Sequence, residues 1–446
     1  MSLKISAIVL YIAMSFISAV QARTELVIAT VNNGHMVEMQ KLSSHFEAKN
    51  PDIFLKWVTL EEGELRQQVT ADIANRGGRY DIMTIGMYEA PIWGQRRWLK
   101  PLEFGTDYNQ EDILPAIRSG LSYNGAMVAA PFYGESSMLM YRADLIKRAG
   151  IRMPSHPTWD IVADAAAKLH DPAAGVYGIC LRGKPGWGDN MAFLTTMVNT
   201  FGGRWFDMNW KPELESQAWK EAIHLYVELL TQYGPPNSAS NSFNEILALF
   251  NEGKCAMWID ATIAASFVSD PGKSQVFDKV AFAQAPTQVT PKGANWLWAW
   301  AWALAIPIST THAKEAQRFI DWATSQEYIH LVARENGWAR VPTGTRHSTY
   351  QNPNFLSVAP FAKAELAAIQ SADPDDSTLE PSPYVGVQFA AIPEFQGIGV
   401  AVGRQISAVL TGEKSVEEAL RKSQRLTDRE MRISHYCYCC RCWDGR

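Results

Sequence analysis

Four tryptophans alternate with smaller residues in one short segment of the chain: Trp296, Trp298, Trp300 and Trp302. A period of two is typical of a β-strand, so all four side chains should point to the same side. Each indole offers a flat apolar surface and one N–H donor, which suits the C–H face of a sugar or sugar alcohol. The segment therefore predicts a ligand cleft with Trp298 and Trp300 as stacking residues. Packing of these rings beneath a helix is the alternative.

A glycine-rich turn from Arg182 to Asn190 carries several groups suited to binding a small solute. Arg182 supplies a cation, Trp187 an indole and Asn190 an amide, so one loop can present donors, an acceptor and an apolar surface together. An ordinary surface turn rich in proline and glycine is the competing interpretation. We predict that these three residues bind the ligand.

Signatures of catalysis are scarce. The sequence contains no G-x-S-x-G, no H-E-x-x-H, no P-loop and no G-x-G-x-x-G after a strand. Because acidic residues are numerous, a pair of catalytic carboxylates of the glycosidase kind stays open. Histidine and cysteines within residues 435–442 are possible zinc ligands, but the adjacent Cys439 and Cys440 disfavour such a site. We predict a protein that is not an enzyme, without metal or cofactor, and a cysteine-rich extension at 434–446 outside the fold.

The first residues predict export. Lys4 precedes an apolar run over residues 5–19, and Val20-Gln21-Ala22 resembles a signal-peptide cleavage site. The run is too short to span a bilayer as a helix. No cysteine follows the cleavage site to carry a lipid. We therefore predict a signal peptide over residues 1–22, cleaved near Ala22, and a periplasmic protein.

Size and charge narrow the class further. A chain of 446 residues exceeds what one hydrophobic core usually supports, which predicts two domains. A net charge of −5 argues against nucleic acid or an anionic membrane as partner. Before the terminal extension the only cysteines are Cys180 and Cys255, and either could be a free buried thiol.

Strand and helix patterns alternate at the start of the mature chain. Strand patterns at residues 25–30, 53–60 and 80–85 are separated by helix patterns at 36–49 and 63–76. This β-α-β-α-β order predicts a parallel sheet with helices on both faces.

A series of short motifs then resembles the extracellular solute-binding proteins of carbohydrate ABC importers, the group that includes maltose-binding protein. The motifs are Phe46-x4-Pro51-x-Ile53, Tyr80-Asp81-Ile82, Pro131-Phe132-x2-Glu135-x5-Tyr141, Pro157-Thr158-Trp159-Asp160, Phe250-x2-Gly253-Lys254-Cys255-Ala256-Met257 and Trp302-Ala303-Leu304-Ala305-Ile306. Other phrases resemble the polyol binders that serve mannitol and sorbitol import: residues 29–34, 83–89, 178–184 and 383–389.

The resemblance implies a fold of two α/β lobes, each a mostly parallel sheet flanked by helices, with the ligand in the cleft between them. The implied N-terminal lobe comprises residues 23–133 and 300–329, and the C-terminal lobe 134–299 and 330–433. It further implies a monomer that closes on its ligand and delivers it to a membrane permease, without chemistry on the solute.

Candidate ligand residues follow from strand ends and from loops that would face this cleft. Glu135 lies where the chain should cross to the second lobe, and the resemblance to maltose-binding protein implies that it is a sugar ligand. Asn33 and Asp260 have helix capping as their competing role, and Glu89 has simple solvation. The predicted set is Asn33, Tyr88, Glu89, Glu135, Arg182, Trp187, Asn190, Asp260, Trp298, Trp300, Tyr384 and Gln388.

Two alternatives stay open at this stage. A receptor of the same fold could bind a monosaccharide or a short oligosaccharide, since ring sugars use broad aromatic surfaces. An exported carbohydrate-active enzyme with tryptophan subsites is the second alternative.

Overall fold

The computed structural model describes residues 23–296 and 303–434. The predicted signal peptide, Trp298, Trp300 and residues 435–446 of the predicted tail lie outside the described residues. The strands are β1 Thr24–Val31, β2 Ile53–Leu60, β3 Ile82–Ile85, β4 Ser122–Tyr123, β5 Ala126–Met127, β6 Ala130–Pro131, β7 Ser137–Arg142, β8 Met257–Ala261, β9 Val280–Gln284 and β10 Ala303–Ala305.

α-Helices precede, separate and follow these strands along the chain. They are α1 Gly34–Leu42, α2 Ser44–Lys49, α3 Glu62–Ala74, α4 Glu89–Gln95, α5 Pro115–Gly120, α6 Ala143–Arg148, α7 Trp159–Leu169, α8 Asn190–Thr200, α9 Gln217–Gln232, α10 Phe243–Asn251, α11 Ala264–Val268, α12 Ala313–Ala323, α13 Gln326–Asn336, α14 His347–Gln351, α15 Pro353–Val358, α16 Ala362–Ser371, α17 Phe395–Leu410 and α18 Val416–Ile433. Within the described ranges no helix is both long and apolar enough to cross a membrane.

The first lobe is built on a five-stranded sheet in the order β2-β1-β3-β10-β6. β1 pairs in parallel with β2 along its whole length and also in parallel with β3, which confirms the predicted β-α-β-α-β unit. β10 returns antiparallel between β3 and β6. Leu26, Ile28 and Ala29 of β1 are fully buried, as expected for a central strand with helices on both faces.

The second lobe contains a three-stranded sheet in the order β8-β7-β9. β7 is antiparallel to both neighbours, so the expectation of a mostly parallel sheet is wrong for these three strands. Isolated parallel bridges, Tyr177 to Cys255 and Cys180 to Trp258, extend the pairing beyond β8.

Cys180 and Cys255 form a disulfide between segments 75 residues apart, so neither is a free thiol. The two cysteines lie in neighbouring extended segments of the second lobe, which brings their Cα atoms to 5.9 Å. A disulfide is typical of an oxidising compartment, as predicted for an exported chain.

Connecting segments pass between the two sheets. Residues 132–136 lead from β6 to β7, and we call them the first crossing; the described residues 285–296 follow β9. The first crossing packs against Gly344, where backbone meets backbone: a Cβ on Gly344 would lie 1.7 Å from the Gly134 carbonyl oxygen. Tyr133, Glu135 and Trp296 belong to these segments and line the space between the lobes.

Candidate ligand-binding site

A cleft of about 800 Å³, including space open to solvent, lies between the two lobes. The strand ends of the first lobe, the first crossing and the loops of the second lobe all contribute to its wall. The lining residues are Val31, Asn32, Asn33, Glu61, Glu62, Gly63, Tyr133, Glu135, Arg182, Lys184, Asp189, Ala192, Ser242, Phe243, Asn244, Glu245, Ala261, Ile263 and Trp296. Of the predicted set, Asn33, Glu135 and Arg182 are therefore brought together.

Glu135 is a buried carboxylate on the cleft wall. Only 5% of the residue is exposed, and within residues 23–296 and 303–434 no hydrogen bond reaches its carboxylate. Burial raises the pKa of Glu135 well above its usual range, and the charge of Asp260 adds to this effect while that of Arg182 opposes it. A buried acceptor without a partner is costly, so this site is suited to a ligand that donates hydrogen bonds.

Arg182 is fixed behind the same wall by Asp260. Its Nε donates to Oδ2 of Asp260 at 2.9 Å and its Nη2 to Oδ1 at 2.5 Å, while Nη1 donates to the Gly188 carbonyl at 2.9 Å. Three of the five N–H groups of the guanidinium are thus used, which leaves two for a ligand.

Asp260 differs from its predicted role because it does not line the cleft. It is fully buried and also accepts from Trp258 Nε1 at 3.0 Å and from the backbone N–H of Ala261 at 2.7 Å. With four hydrogen bonds its carboxylate is saturated, so it positions Arg182 instead of binding a ligand.

Asn33 caps a helix and also lines the cleft. Its Oδ1 caps α1 by accepting from the backbone N–H of Met36 at 2.9 Å, and its Nδ2 donates to the Tyr133 hydroxyl at 3.0 Å. The cap fixes the amide at the end of β1, on the carboxyl edge of the sheet where open α/β folds bind ligands.

Trp296 is the described part of the tryptophan run, and it lines the cleft. Hydroxyls of the first crossing and of β7 hold its backbone: Ser136 donates to its carbonyl at 2.7 Å, and its N–H donates to Ser137 Oγ at 3.3 Å. The Arg182 guanidinium lies 5.9 Å from the centre of its ring. Trp296 is not in the predicted set, and the predicted stacking residues Trp298 and Trp300 lie outside the described residues.

Glu62, Tyr133 and Lys184 also line the cleft but are absent from the predicted set. Glu62 accepts from Arg66 Nη2 at 2.9 Å, and burial raises its pKa to about 7. A sequence signal existed, because residues 61–63 follow β2 at the same sheet edge at which Asn33 follows β1.

Tyr88, Glu89 and Trp187 lie beside the cleft without lining it, and they join the two lobes. Glu89 is buried and accepts from Arg66 Nη1 at 2.9 Å, so it is neither solvated nor in the cleft wall. The Arg66 guanidinium lies 4.0 Å from the centre of the Trp187 ring. Tyr88 packs against Trp187 and donates from its hydroxyl to the Ile392 carbonyl at 2.9 Å.

Asn190, Tyr384 and Gln388 are also buried away from the cleft wall. Asn190 donates from Nδ2 to the Gly403 carbonyl at 3.0 Å and braces its own turn, and the Tyr384 hydroxyl accepts from the Trp205 N–H at 3.0 Å. Gln388 is fully buried, and in the part of the chain that the structure describes neither of its amide atoms has a hydrogen-bond partner.

The cleft wall thus presents a carboxylate that can accept, a guanidinium that can donate, an amide and an indole. This combination suits an uncharged solute with many hydroxyl groups and an apolar C–H face. Among the described residues, no group of three or more histidine, cysteine, aspartate or glutamate side chains is placed to hold a metal ion.

Comparisons with known proteins agree with this description. Residues 33–329 match the bacterial extracellular solute-binding proteins. The chain is 51% identical over 417 residues to the mannitol-binding protein of Pseudomonas aeruginosa, covering 93% of this chain and 95% of that protein.

Solved structures give the same result. An ABC transporter solute-binding protein from Agrobacterium vitis, with bound D-mannitol, has a TM-score of 0.91 and 56% identity over 92% of this chain and 99% of that one. A solute-binding protein from Agrobacterium radiobacter in complex with ribitol has a TM-score of 0.80 and 24% identity, over 92% of this chain and 99% of its own. These similarities confirm the predicted two-lobed fold.

Proposed function

The chain belongs to the family of bacterial extracellular solute-binding proteins, and on that premise we propose that it is the periplasmic receptor of an ABC importer for a sugar alcohol of the mannitol type. The mannitol-binding relative and the mannitol-bound structure, both above 50% identity and covering more than nine tenths of this chain, support the choice of ligand. Sorbitol and other alditols belong to the same class, and the receptor discriminates among them by hydroxyl stereochemistry.

The buried Glu135 is the observation that carries the proposal. Every hydroxyl of an open-chain hexitol is both donor and acceptor, and leaving one buried and unpaired costs about 1–3 kcal/mol. Glu135 accepts from ligand hydroxyls, and the two remaining N–H groups of Arg182 donate to ligand oxygens. Trp296 lies against the C–H face, and Trp298 and Trp300 stay candidates for stacking.

Binding proceeds by closure of the lobes around the ligand. A ligand that touches residues of both lobes favours the closed arrangement because it gains contacts that the open arrangement lacks. The Tyr88 hydrogen bond to Ile392 and the stacking of Arg66 on Trp187 hold the lobes together beside the cleft. These three side chains, with Glu89 behind Arg66, therefore stabilise the closed state without direct contact to the solute.

The receptor acts as a monomer that hands its ligand to the permease subunits of the inner membrane and does no chemistry on it. It is exported through a signal peptide cleaved near Ala22 and binds no nucleic acid.

A thermal-shift screen of mature protein, stripped of carried-over ligand, tests the proposal. A ligand that binds only the folded form raises the melting temperature by an amount set by its concentration and Kd. Mannitol or a related alditol should produce a large shift and maltose none. Shifts with ring sugars alone would overturn the choice of ligand, and turnover of a glycoside would overturn the receptor function.

A further inference from the structure

The carboxylates of the cleft wall differ in whether the protein supplies them with a hydrogen-bond donor. Four of the five carboxylates in the wall have a protein donor: Asn32 donates to Glu61, Arg66 to Glu62, the Ser242 hydroxyl to Asp189 and the Ser242 N–H to Glu245. Glu135 is the exception among the described residues, and it is also 95% buried because only 5% of it is exposed. The protein thus leaves its most enclosed cleft carboxylate for the ligand.

The nearby cation does not neutralise this carboxylate. Arg182 is bound through two hydrogen bonds by Asp260, so the pair carries little net charge. Lys184 lines the cleft but is only half-buried, and among the described residues it forms no ion pair with Glu135. When Glu135 is ionised, its negative charge is therefore only partly compensated by the protein.

We propose that the cleft also binds amino-alditols, polyols in which one terminal hydroxyl is replaced by a protonated amine, with the ammonium group on Glu135. The inference rests on the proposed function, because the carbon chain and remaining hydroxyls use the polyol site. An ammonium donates three hydrogen bonds and supplies the positive charge that the site lacks, so it pairs with a carboxylate more strongly than a hydroxyl does. An aldonate, which carries a carboxylate at the same carbon, is repelled.

Release of the Glu135 proton on binding distinguishes the amine from mannitol in a second way. Burial raises the pKa of Glu135, and the charged groups that face it are Arg182, Asp260, Glu62 and Glu365. An ammonium beside Glu135 favours the ionised carboxylate more strongly than a hydroxyl does, so binding of the amine releases more protons than binding of the neutral alditol.

Three ligands that differ at one carbon separate the alternatives: D-mannitol, 1-amino-1-deoxy-D-mannitol and D-mannonate. Calorimetric titrations of the full mature protein at pH 7.5 should give a Kd for the amine about tenfold below that for mannitol, as one charge-assisted hydrogen bond provides. Mannonate should bind at least tenfold more weakly than mannitol. Glu135→Gln should abolish the preference for the amine, whereas Glu228→Gln, which removes an exposed carboxylate of α9, should retain it.

The outcomes are distinguishable. Binding of mannitol with weaker binding of the amine would overturn this inference and leave the polyol receptor standing. A preference for the amine that survives Glu135→Gln would overturn the role of Glu135. Failure of all three ligands on folded wild-type protein would overturn both proposals. If Glu135→Gln does not fold, wild-type titrations in buffers of different ionisation enthalpy decide, because the inference requires greater proton release with the amine than with mannitol, and equal release would overturn it.

Discussion

Replacing Glu135 by Gln should weaken polyol binding and stabilise the ligand-free protein at the same time. The side chain is almost fully buried, lines the cleft and accepts no hydrogen bond from the described residues. Gln keeps its size but removes the charge. In the complex the variant loses a charge-assisted hydrogen bond, and in the free protein it removes the cost of burying an acid that must either take up a proton or stay charged without a partner.

The magnitudes follow from these two effects. A hydrogen bond to a charged group contributes about 1.5–3 kcal/mol, so the variant should lose roughly 10- to 150-fold in affinity for mannitol. The ligand-free variant should gain about 1 kcal/mol in the free energy of unfolding near neutral pH, because Gln is also unpaired but uncharged.

The pH dependence has a defined sign. The pKa of Glu135 is raised in the folded state, so the wild-type protein loses stability as the pH rises from the ordinary value of 4.5 towards the folded-state pKa. Glu62 and Glu365, whose pKa values burial raises to about 7, contribute in the same direction in both proteins and cancel in the comparison. The two proteins should therefore be about equally stable at pH 4 and diverge above it.

Chemical unfolding of both proteins at a series of pH values gives the stability difference, and calorimetry gives the affinities. A variant that binds mannitol as tightly as the wild type would refute the role of Glu135 as a ligand residue. A variant that is less stable at pH 7 when free of ligand would show that the carboxylate has a structural partner.

Three further substitutions have defined outcomes. Tyr88→Phe removes the hydrogen bond to the Ile392 carbonyl and should speed mannitol dissociation about fivefold in stopped-flow fluorescence while leaving the association rate nearly unchanged. Gly344→Ala should lower the free energy of unfolding by about 1–3 kcal/mol, since φ is 79° and the new Cβ would lie 1.7 Å from the Gly134 carbonyl oxygen. Asp260→Asn should weaken mannitol binding by roughly tenfold or more in calorimetry, because the guanidinium that it fixes loses its charged partner.

Controls make these outcomes decisive. Gly105→Ala places a Cβ in open space at an ordinary φ of −69°, so it should change the free energy of unfolding by less than about 0.5 kcal/mol. Equal losses from Gly344→Ala and Gly105→Ala would contradict the close approach at the first crossing. An unchanged dissociation rate in Tyr88→Phe would remove Tyr88 from the contacts that hold the lobes together, and unchanged affinity in Asp260→Asn would show that Arg182 does not depend on it.

Local sequence patterns predicted the first lobe well because its elements are consecutive in the chain. The alternating strand and helix periods led directly to the parallel β2-β1-β3 pairing. The second sheet pairs β7 with β8 and β9, which lie more than a hundred residues later in the chain, and periodicity does not specify such pairing. The disulfide between Cys180 and Cys255 was missed for the same reason.

Strand ends located the cleft but not the role of each side chain. Asn33 was predicted because it follows a strand end, Arg182 because it begins a glycine-rich turn, and Glu135 because of the resemblance to maltose-binding protein. Asp260 satisfies the same rule, yet it pairs with Arg182 across 78 residues of sequence and is fully occupied. Which carboxylate is paired and which is left for a ligand depends on three-dimensional contacts that no local pattern encodes.

The most direct test of the receptor function is a calorimetric titration of the mature, ligand-stripped protein with D-mannitol, followed by analysis of the recovered solute. The account predicts saturable binding at one site per chain and chemically unchanged mannitol. Absence of heat and of saturation with mannitol and every other alditol, on protein shown to be folded, would contradict it.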